Sequence, residues 1–180
     1  MAAYLILSLV AIQRLGELVL ARRNTRALMA RGAVEIGAAH YPLMIALHAG
    51  WLVAVIVLLP KPPAVNGWML AVFCVLQGLR VWVLASLGPY WTTRIVTLPG
   101  APLVRRGPFR YVRHPNYLVV AGEIAVLPLV FGEVKVAVAF SVLNAAMLAW
   151  RIRQEETGLA PRRGDPRRGS PRRGAPRRWG

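Results

Sequence analysis

The strongest constraint on this chain is the recurrence of apolar stretches near the length needed to cross a bilayer. A helix of about 20 residues spans the hydrocarbon core, and three segments meet that length, roughly 2–21, 40–60 and 67–88. Two shorter ones follow, about 116–132 and 134–152, separated only by Gly132-Glu133. Backbone N–H and C=O groups in lipid must be satisfied within the segment, which leaves helices as the solution for runs like these. The expected fold is an all-α integral membrane protein with five transmembrane helices, the last two forming a C-terminal helical hairpin. The start, Met1-Ala2-Ala3-Tyr4, lacks the basic residues of a signal peptide, so the first span is expected to be retained.

Charge orients these spans. The chain is 56% hydrophobic yet carries a formal net charge of +16, a combination that soluble domains rarely show. Arg22, Arg23, Arg26 and Arg31 follow the first span, and Arg94, Arg105, Arg106, Arg110 and Arg113 follow the third. Arg151 and Arg153 end the fifth, whereas the intervening loops offer only Lys61 and Lys135. The excess of basic residues on cytoplasmic loops then predicts an outside N-terminus and a cytoplasmic C-terminus. From Pro161 onward proline recurs every fifth residue, in PRRGD, PRRGS, PRRGA and PRRWG, with eight arginines and almost nothing apolar to bury. Residues 161–180 are therefore expected to be a disordered tail that can meet anionic membrane lipid, with no specific nucleic-acid partner. Residues 1–160 form the expected membrane-embedded domain. The single cysteine, Cys74, excludes an intrachain disulfide and a cysteine-based metal centre, and reads as a small buried hydrophobe.

Polar residues interrupt the spans at one depth. Gln13, Arg14 and Glu17 lie in the first, Gln77 and Arg80 in the third, Glu123 in the fourth and Asn144 in the fifth. At 1.5 Å per residue each sits on the order of 5–15 Å from its span's cytoplasmic end. Intramembrane ionisable groups face a cavity or one another. Two arrangements fit: a polar cavity in the cytoplasmic half, or local pairing of Arg14 with Glu17 and of Gln77 with Arg80. His40 and His48 read as hydrogen-bonded structural residues, and no metal site is expected. Pro128 should kink the fourth span and leave a carbonyl for a neighbouring helix to satisfy. Gly16, Gly78 and Gly122 are candidates for close helix contacts.

The densest chemistry lies at the entrance of the fourth span, in "GPFRYVRHPNYLVV" from Gly107 to Val120. Pro115 suits the first turn of a helix, where its missing N–H costs nothing, and the helix's positive dipole end then faces the cytoplasm. His114 and Tyr117, three apart, share a face. The fifth span exits as "WRIRQEETGL", and the hairpin can bring Arg151 and Glu155 back to His114 and Tyr117.

These two motifs, in this order and at this spacing, resemble the isoprenylcysteine carboxyl methyltransferase family over roughly 90–160. The segments "RLGELVLARRNTRALMARGAVEIGAAHYPLMIALH" and "LGPYWTTRIVTLPGAPLV" are similar to a bacterial branch, some of whose members methylate polyketide-derived phenolic lipids. The resemblance implies an inner-membrane enzyme that uses S-adenosylmethionine (SAM) to methylate an oxygen of a lipophilic acceptor. It implies a cytoplasm-facing cofactor site in which Ala101, Pro102, Leu103 and Val104 line the cofactor through backbone groups, with Phe109 against it. His114, Pro115, Asn116 and Tyr117 would form its core. Glu155 would hold a polar group of the cofactor, and Arg151 would face the acceptor, with His114 or a glutamate available as a base. Phe109 replaces the tyrosine often seen in the family, and Gly158 and Pro161 are expected to break the helix that family members continue.

A sulfonium sits well against aromatic faces, for which Phe109, Tyr111 and Tyr117 are candidates. Three other readings stay open on sequence: a phospholipid-amine N-methyltransferase, an NADPH-dependent sterol-type reductase suggested by HPNY, and a non-enzymatic basic membrane protein that binds polyanions.

Overall fold

The computed structural model describes the backbone of residues 1–101 and 104–163 and the side chains as far as Glu156. Five α-helices dominate: α1 (Ala2–Met29), α2 (Tyr41–Val57), α3 (Gly67–Leu87), α4 (Pro115–Val130) and α5 (Val134–Arg163). Four of them are long and apolar enough to cross a membrane; α4 is shorter. Its 16 residues give about 24 Å of rise, less than the roughly 30 Å of hydrocarbon.

The ends follow local chemistry. Asn66 caps α3, its side-chain oxygen accepting from the N–H groups of Trp68 and Met69 at 3.0 and 3.1 Å, which satisfies two donors the first turn leaves open. Beyond α2, Pro60, Pro62 and Pro63 prevent its continuation. Pro115 opens α4 as expected. The hairpin between α4 and α5 turns on Phe131–Glu133, with Gly132 at φ +79°. Helix α1 continues eight residues past its apolar part through Arg22, Arg23 and Arg26. Helix α5 runs on through Gly158 and Pro161 to Arg163, beyond the break those residues were expected to impose. Of the expected tail, residues 164–180 lie outside the described residues.

Two short strands, β1 (Val34–Glu35) and β2 (Val96–Thr97), pair antiparallel and tie the loop after α1 to the loop after α3. Arg94 donates to both oxygens of Glu35 at 2.7 and 2.8 Å beside this pairing. Those bonds hold its guanidinium pKa above the ordinary arginine range. Its charge also lies 4.3 Å from the centre of the Tyr41 ring.

Two apolar clusters bracket the polar layer. Leu7 and Val10 of α1, Trp51 and Val55 of α2, Phe73 of α3 and Ile124, Leu127 and Val130 of α4 form the larger. Ala21, Val83, Trp91 and Val119 form the smaller, with Phe109 packed against it. Leu5, Leu9, Ile12, Val19, Val53, Val57, Val75 and Val142 point outward and are exposed, the surface a helix bundle presents to acyl chains.

Pro128 has no N–H for the carbonyl of Ile124, and the indole N–H of Trp51 on α2 fills that vacancy at 3.1 Å. Among the three glycines expected at contacts, only Gly122 is one: a Cβ there would lie 2.9 Å from Leu76 of α3, whereas Gly16 and Gly78 face nothing within 4 Å. Cys74 is exposed on α3 rather than buried, because it lies on the outward face between Phe73 and Val75.

Candidate functional site

The residues of the α4 entrance and the α5 exit converge. Tyr117 Oη donates to Glu155 Oε2 at 2.9 Å, although 38 residues separate them. His114 Nδ1 lies 3.6 Å from the same oxygen, and the His114 and Tyr117 rings stack at 5.3 Å with planes 12° apart. Arg151 lies with its guanidinium carbon 5.8 Å from the Tyr117 ring centre. It donates to the carbonyl of Thr93 at 3.0 Å and to the sulfur of Met44. No ion pair joins Arg151 to Glu155 among the described residues; the antiparallel partner Tyr117 takes the carboxylate instead. The N–H groups of Tyr117 and Leu118 fold back on the His114 carbonyl, so the first turn of α4 is partly self-satisfied.

These side chains border a cavity of about 700 Å³. Ala101, Val104, Phe109, His114, Asn116, Tyr117, Arg151 and Glu155 all line it. Pro115 does not; it is buried as the first residue of α4. Pro102 and Leu103 lie outside the described residues. The opposite wall comes from the segment after α3, including Trp91, Thr92 and Arg94, with Arg105 and Arg113 at the rim. Gly107, at φ +59°, lets the chain turn where a Cβ would collide with Ser86 Oγ at 2.0 Å. Arg106 donates from Nε to the Ser86 carbonyl at 2.8 Å, fixing the loop that carries Phe109. Tyr111 is 75% exposed and lines no cavity described here, so it offers no aromatic face to the site. Trp91 takes that place.

A second cavity, of about 350 Å³, lies deeper between the helices. It shares Trp91, Thr92, Asn116, Tyr117 and Arg151 with the first. Its other walls are mostly apolar, including Leu15, Leu18, Ile45, Leu52, Val120 and Leu148. Leu15 and Ile45 are at the same time 63% and 37% exposed on the outer face. The cavity therefore opens sideways between α1 and α2.

One side of this deep cavity is ionic. Glu17 accepts from Arg80 Nε at 2.6 Å and also pairs with Arg80 Nη2, with Arg14 at 3.2 Å and with Gln13 at 3.0 Å. Glu123 accepts from Arg80 and Arg14 at 2.8 and 2.9 Å and from Gln77 at 2.8 Å. The expected cavity and the expected Arg14–Glu17 pair thus coexist. The Gln77–Arg80 pair does not form, because each side chain reaches across to other helices. Two cations and two anions balance, the condition under which buried charge is tolerated. Arg80 also lies 5.8 Å from the Trp91 ring, connecting this quartet to the shared wall.

Several buried polar atoms at the wall have no hydrogen-bond partner: Trp91 Nε1, His114 Nε2, Asn116 Oδ1 and Arg151 Nε. Such atoms are costly to bury unmatched; others belong to His40, Glu133 and Asn144, which line neither cavity. His40 is fully buried with neither ring nitrogen bonded, its ring 5.8 Å edge-on from Trp150, whereas His48 has the hydrogen bond expected of a structural histidine. No group of three or more His, Cys, Asp or Glu side chains is placed to hold a metal ion among the described residues. Trp91, Thr92 and Thr93 were not legible as site residues from chemistry alone, because a Trp-Thr-Thr run carries no titratable group.

Comparison with known proteins supplies context. The family description "Isoprenylcysteine carboxyl methyltransferase (ICMT) family" matches residues 69–161. A Bacillus subtilis (strain 168) protein, "Uncharacterized protein YpbQ", is 38% identical over 162 residues, which cover 87% of this chain and 95% of that protein. A Haemophilus influenzae "Uncharacterized protein" is 28% identical over 152 residues, 82% of this chain and 88% of that protein. No solved structure matches the chain at a significant level.

Proposed function

Because this chain belongs to the isoprenylcysteine carboxyl methyltransferase family, a family of membrane methyltransferases, we propose that it transfers a methyl group from SAM to an oxygen of a lipophilic acceptor. The observation that carries the reading is the partition of Trp91, Thr92, Asn116, Tyr117 and Arg151 shared by a larger cavity and a lipid-facing one. A two-substrate reaction between a polar cofactor and a lipid needs two compartments that meet at the reacting atoms.

The residues of the larger cavity fit the cofactor. Glu155 has one oxygen committed to Tyr117 and the other free among the described contacts, in reach of an ammonium or ribose hydroxyls. Arg105 at the rim suits a carboxylate, beside Arg113, which reaches Glu156 at 3.4 Å. The faces of Phe109, Tyr117 and Trp91 suit a sulfonium. Asn116 and His114 present unmatched polar atoms, while Pro115 starts the helix that carries them. Ala101 and Val104, which line that cavity, are assigned to the same site through their backbone; Pro102 and Leu103, outside the described residues, go with them on the family resemblance alone. When bound, the cofactor supplies an electrophilic methyl on a cationic sulfur. The chain's work is then positioning and exclusion of water. Tyr117 and Arg151 hold the partition, Arg151 faces the acceptor, and the apolar walls keep the deep compartment dry.

In this reading all five helices cross the bacterial inner membrane, with the N-terminus outside, and the α4–α5 hairpin opens the cofactor site to the cytoplasm. The short α4 reaches only as far as the α4–α5 turn, and its entrance loop completes the crossing. The test is calorimetric titration of the detergent-purified protein with SAM and, separately, with NADPH. Binding of SAM alone is expected; binding of NADPH without SAM refutes the methyltransferase reading in favour of a reductase.

A further inference from the structure

The deep cavity carries one side chain whose hydrogen-bonding sense is fixed by the backbone. His48, on α2, places Nδ1 2.9 Å from the carbonyl oxygen of Met44. A carbonyl only accepts, so Nδ1 is the protonated nitrogen, and in the neutral imidazole Nε2 is left as an acceptor. No hydrogen bond reaches Nε2 among the described contacts, and His48 lines the deep cavity.

Its surroundings sharpen that asymmetry. Arg14 and Arg80 line the same cavity, but their guanidinium groups are engaged by Glu17 and Glu123. The quartet is charge-balanced, which leaves Arg151, without an ion pair among the described residues, as the surplus cation of the cavity lining. Met44, one helical turn from His48, touches Arg151 at the partition. His48 therefore stands about 6 Å along α2 from the level of the partition, alongside the head group of any lipid whose tail leaves between Leu15 and Ile45.

We propose that His48 Nε2 is the recognition point for a hydrogen-bond donor on the head group of the acceptor lipid. At this point the deep cavity then selects lipids bearing a hydroxyl or N–H over the matching ethers. The proposal rests on the two-compartment methyltransferase reading and deepens it by naming the chemistry its lipid compartment accepts.

The test uses two probes matched in tail and ring: 4-dodecylphenol and 4-dodecylanisole. Trp51 and Trp91 line the cavity, so their fluorescence reports binding to the purified full chain. The parent is expected to bind the phenol about three- to tenfold more tightly than the anisole, the worth of one hydrogen bond. His48→Phe should bring the phenol-to-anisole ratio close to one. His48→Gln, whose carbonyl oxygen still accepts, should keep part of the preference. Equal binding of phenol and anisole by the parent, or an unchanged ratio in His48→Phe, each overturns the assignment. The comparison within the parent needs no variant, so a misfolded substitution does not protect the idea. SAM titration of the same samples separates the two claims. A phenol preference without SAM binding sinks only the cofactor reading, and SAM binding without a phenol preference sinks only the role of His48.

Discussion

Replacing Glu155 by glutamine is the most discriminating perturbation of the proposed cofactor compartment. The amide keeps the shape of the side chain, and its carbonyl oxygen can still accept from Tyr117 Oη, now 2.9 Å from Oε2. What disappears is the negative charge on the oxygen that faces the cavity. A hydrogen bond to a charged group contributes roughly 1.5–3 kcal/mol, so SAM affinity should fall about ten- to a hundredfold. Glu155 is only part-buried, and its neighbour His114 is 3.6 Å away, so the lower half of that range is the better expectation. Tyr117→Phe leaves the charge in place but frees the carboxylate from its anchor, a loss of roughly 0.5–1.5 kcal/mol. The order parent, Tyr117→Phe, Glu155→Gln in decreasing affinity is the signature. Calorimetric titration with SAM reads it without knowledge of the acceptor, and thermal melts establish that each variant is folded. If Glu155→Gln binds SAM as the parent does, Glu155 does not hold the cofactor and the compartment has been assigned to the wrong ligand.

Other perturbations address the acceptor side, the membrane layer and the orientation. Arg151→Ala should leave SAM binding within a few-fold of the parent while abolishing methyl transfer to a lipid acceptor; equal loss of both would move Arg151 into the cofactor site. Arg80→Leu leaves the carboxylates of Glu17 and Glu123 to share Arg14 alone and should lower stability by about 3 kcal/mol, read as a fall in melting temperature in detergent; an unchanged melt would show Arg80 to be dispensable. Burial raises the Glu133 carboxyl to about 7 from 4.5. Because the folded value is the higher one, its contribution to stability is intact below about pH 4.5 and disappears as pH rises through about 7. Glu133→Gln should therefore remove a loss of stability that develops between about pH 4.5 and 7, seen in pH-dependent melts. With Cys74 replaced by serine, Arg110→Cys should be labelled only from the cytoplasmic side and Lys61→Cys from outside, and the reverse pattern would overturn the orientation.

Apolar length and the positions of proline and glycine made the helices legible, because burial and backbone satisfaction in lipid leave few alternatives. The depth of Arg14, Glu17, Arg80 and Glu123 made a polar layer legible, but not its wiring. Gln77 and Arg80 stand three apart on one helix, yet each finds better partners on α1 and α4, and no local rule ranks those options. Gly16 and Gly78 look like Gly122 in sequence; only the packing of Leu76 distinguishes them. The Val34–Thr97 and Glu35–Val96 pairing was invisible, since a two-residue strand has no period to detect. Gly158 and Pro161 failed as helix breakers although each disfavours the helix interior on local grounds. Convergence of His114, Tyr117 and Glu155 was foreseeable from the hairpin alone, whereas the Trp91 wall depended on how the loop after α3 folds back.

The quartet also has a history within each molecule's synthesis. Arg14 and Glu17 emerge first, neutral as a pair, and Arg80 follows with one carboxylate already waiting on α1. Its second partner, Glu123, lies 43 residues further along the chain. Chains are made from the N-terminus, so for that interval three helices share one surplus positive charge. Such a charge is expensive in hydrocarbon. Arrival of α4 supplies the carboxylate that removes it. A chain truncated just before Glu123 should therefore be the most conspicuous target for membrane quality control, more so than one cut earlier, before Arg80.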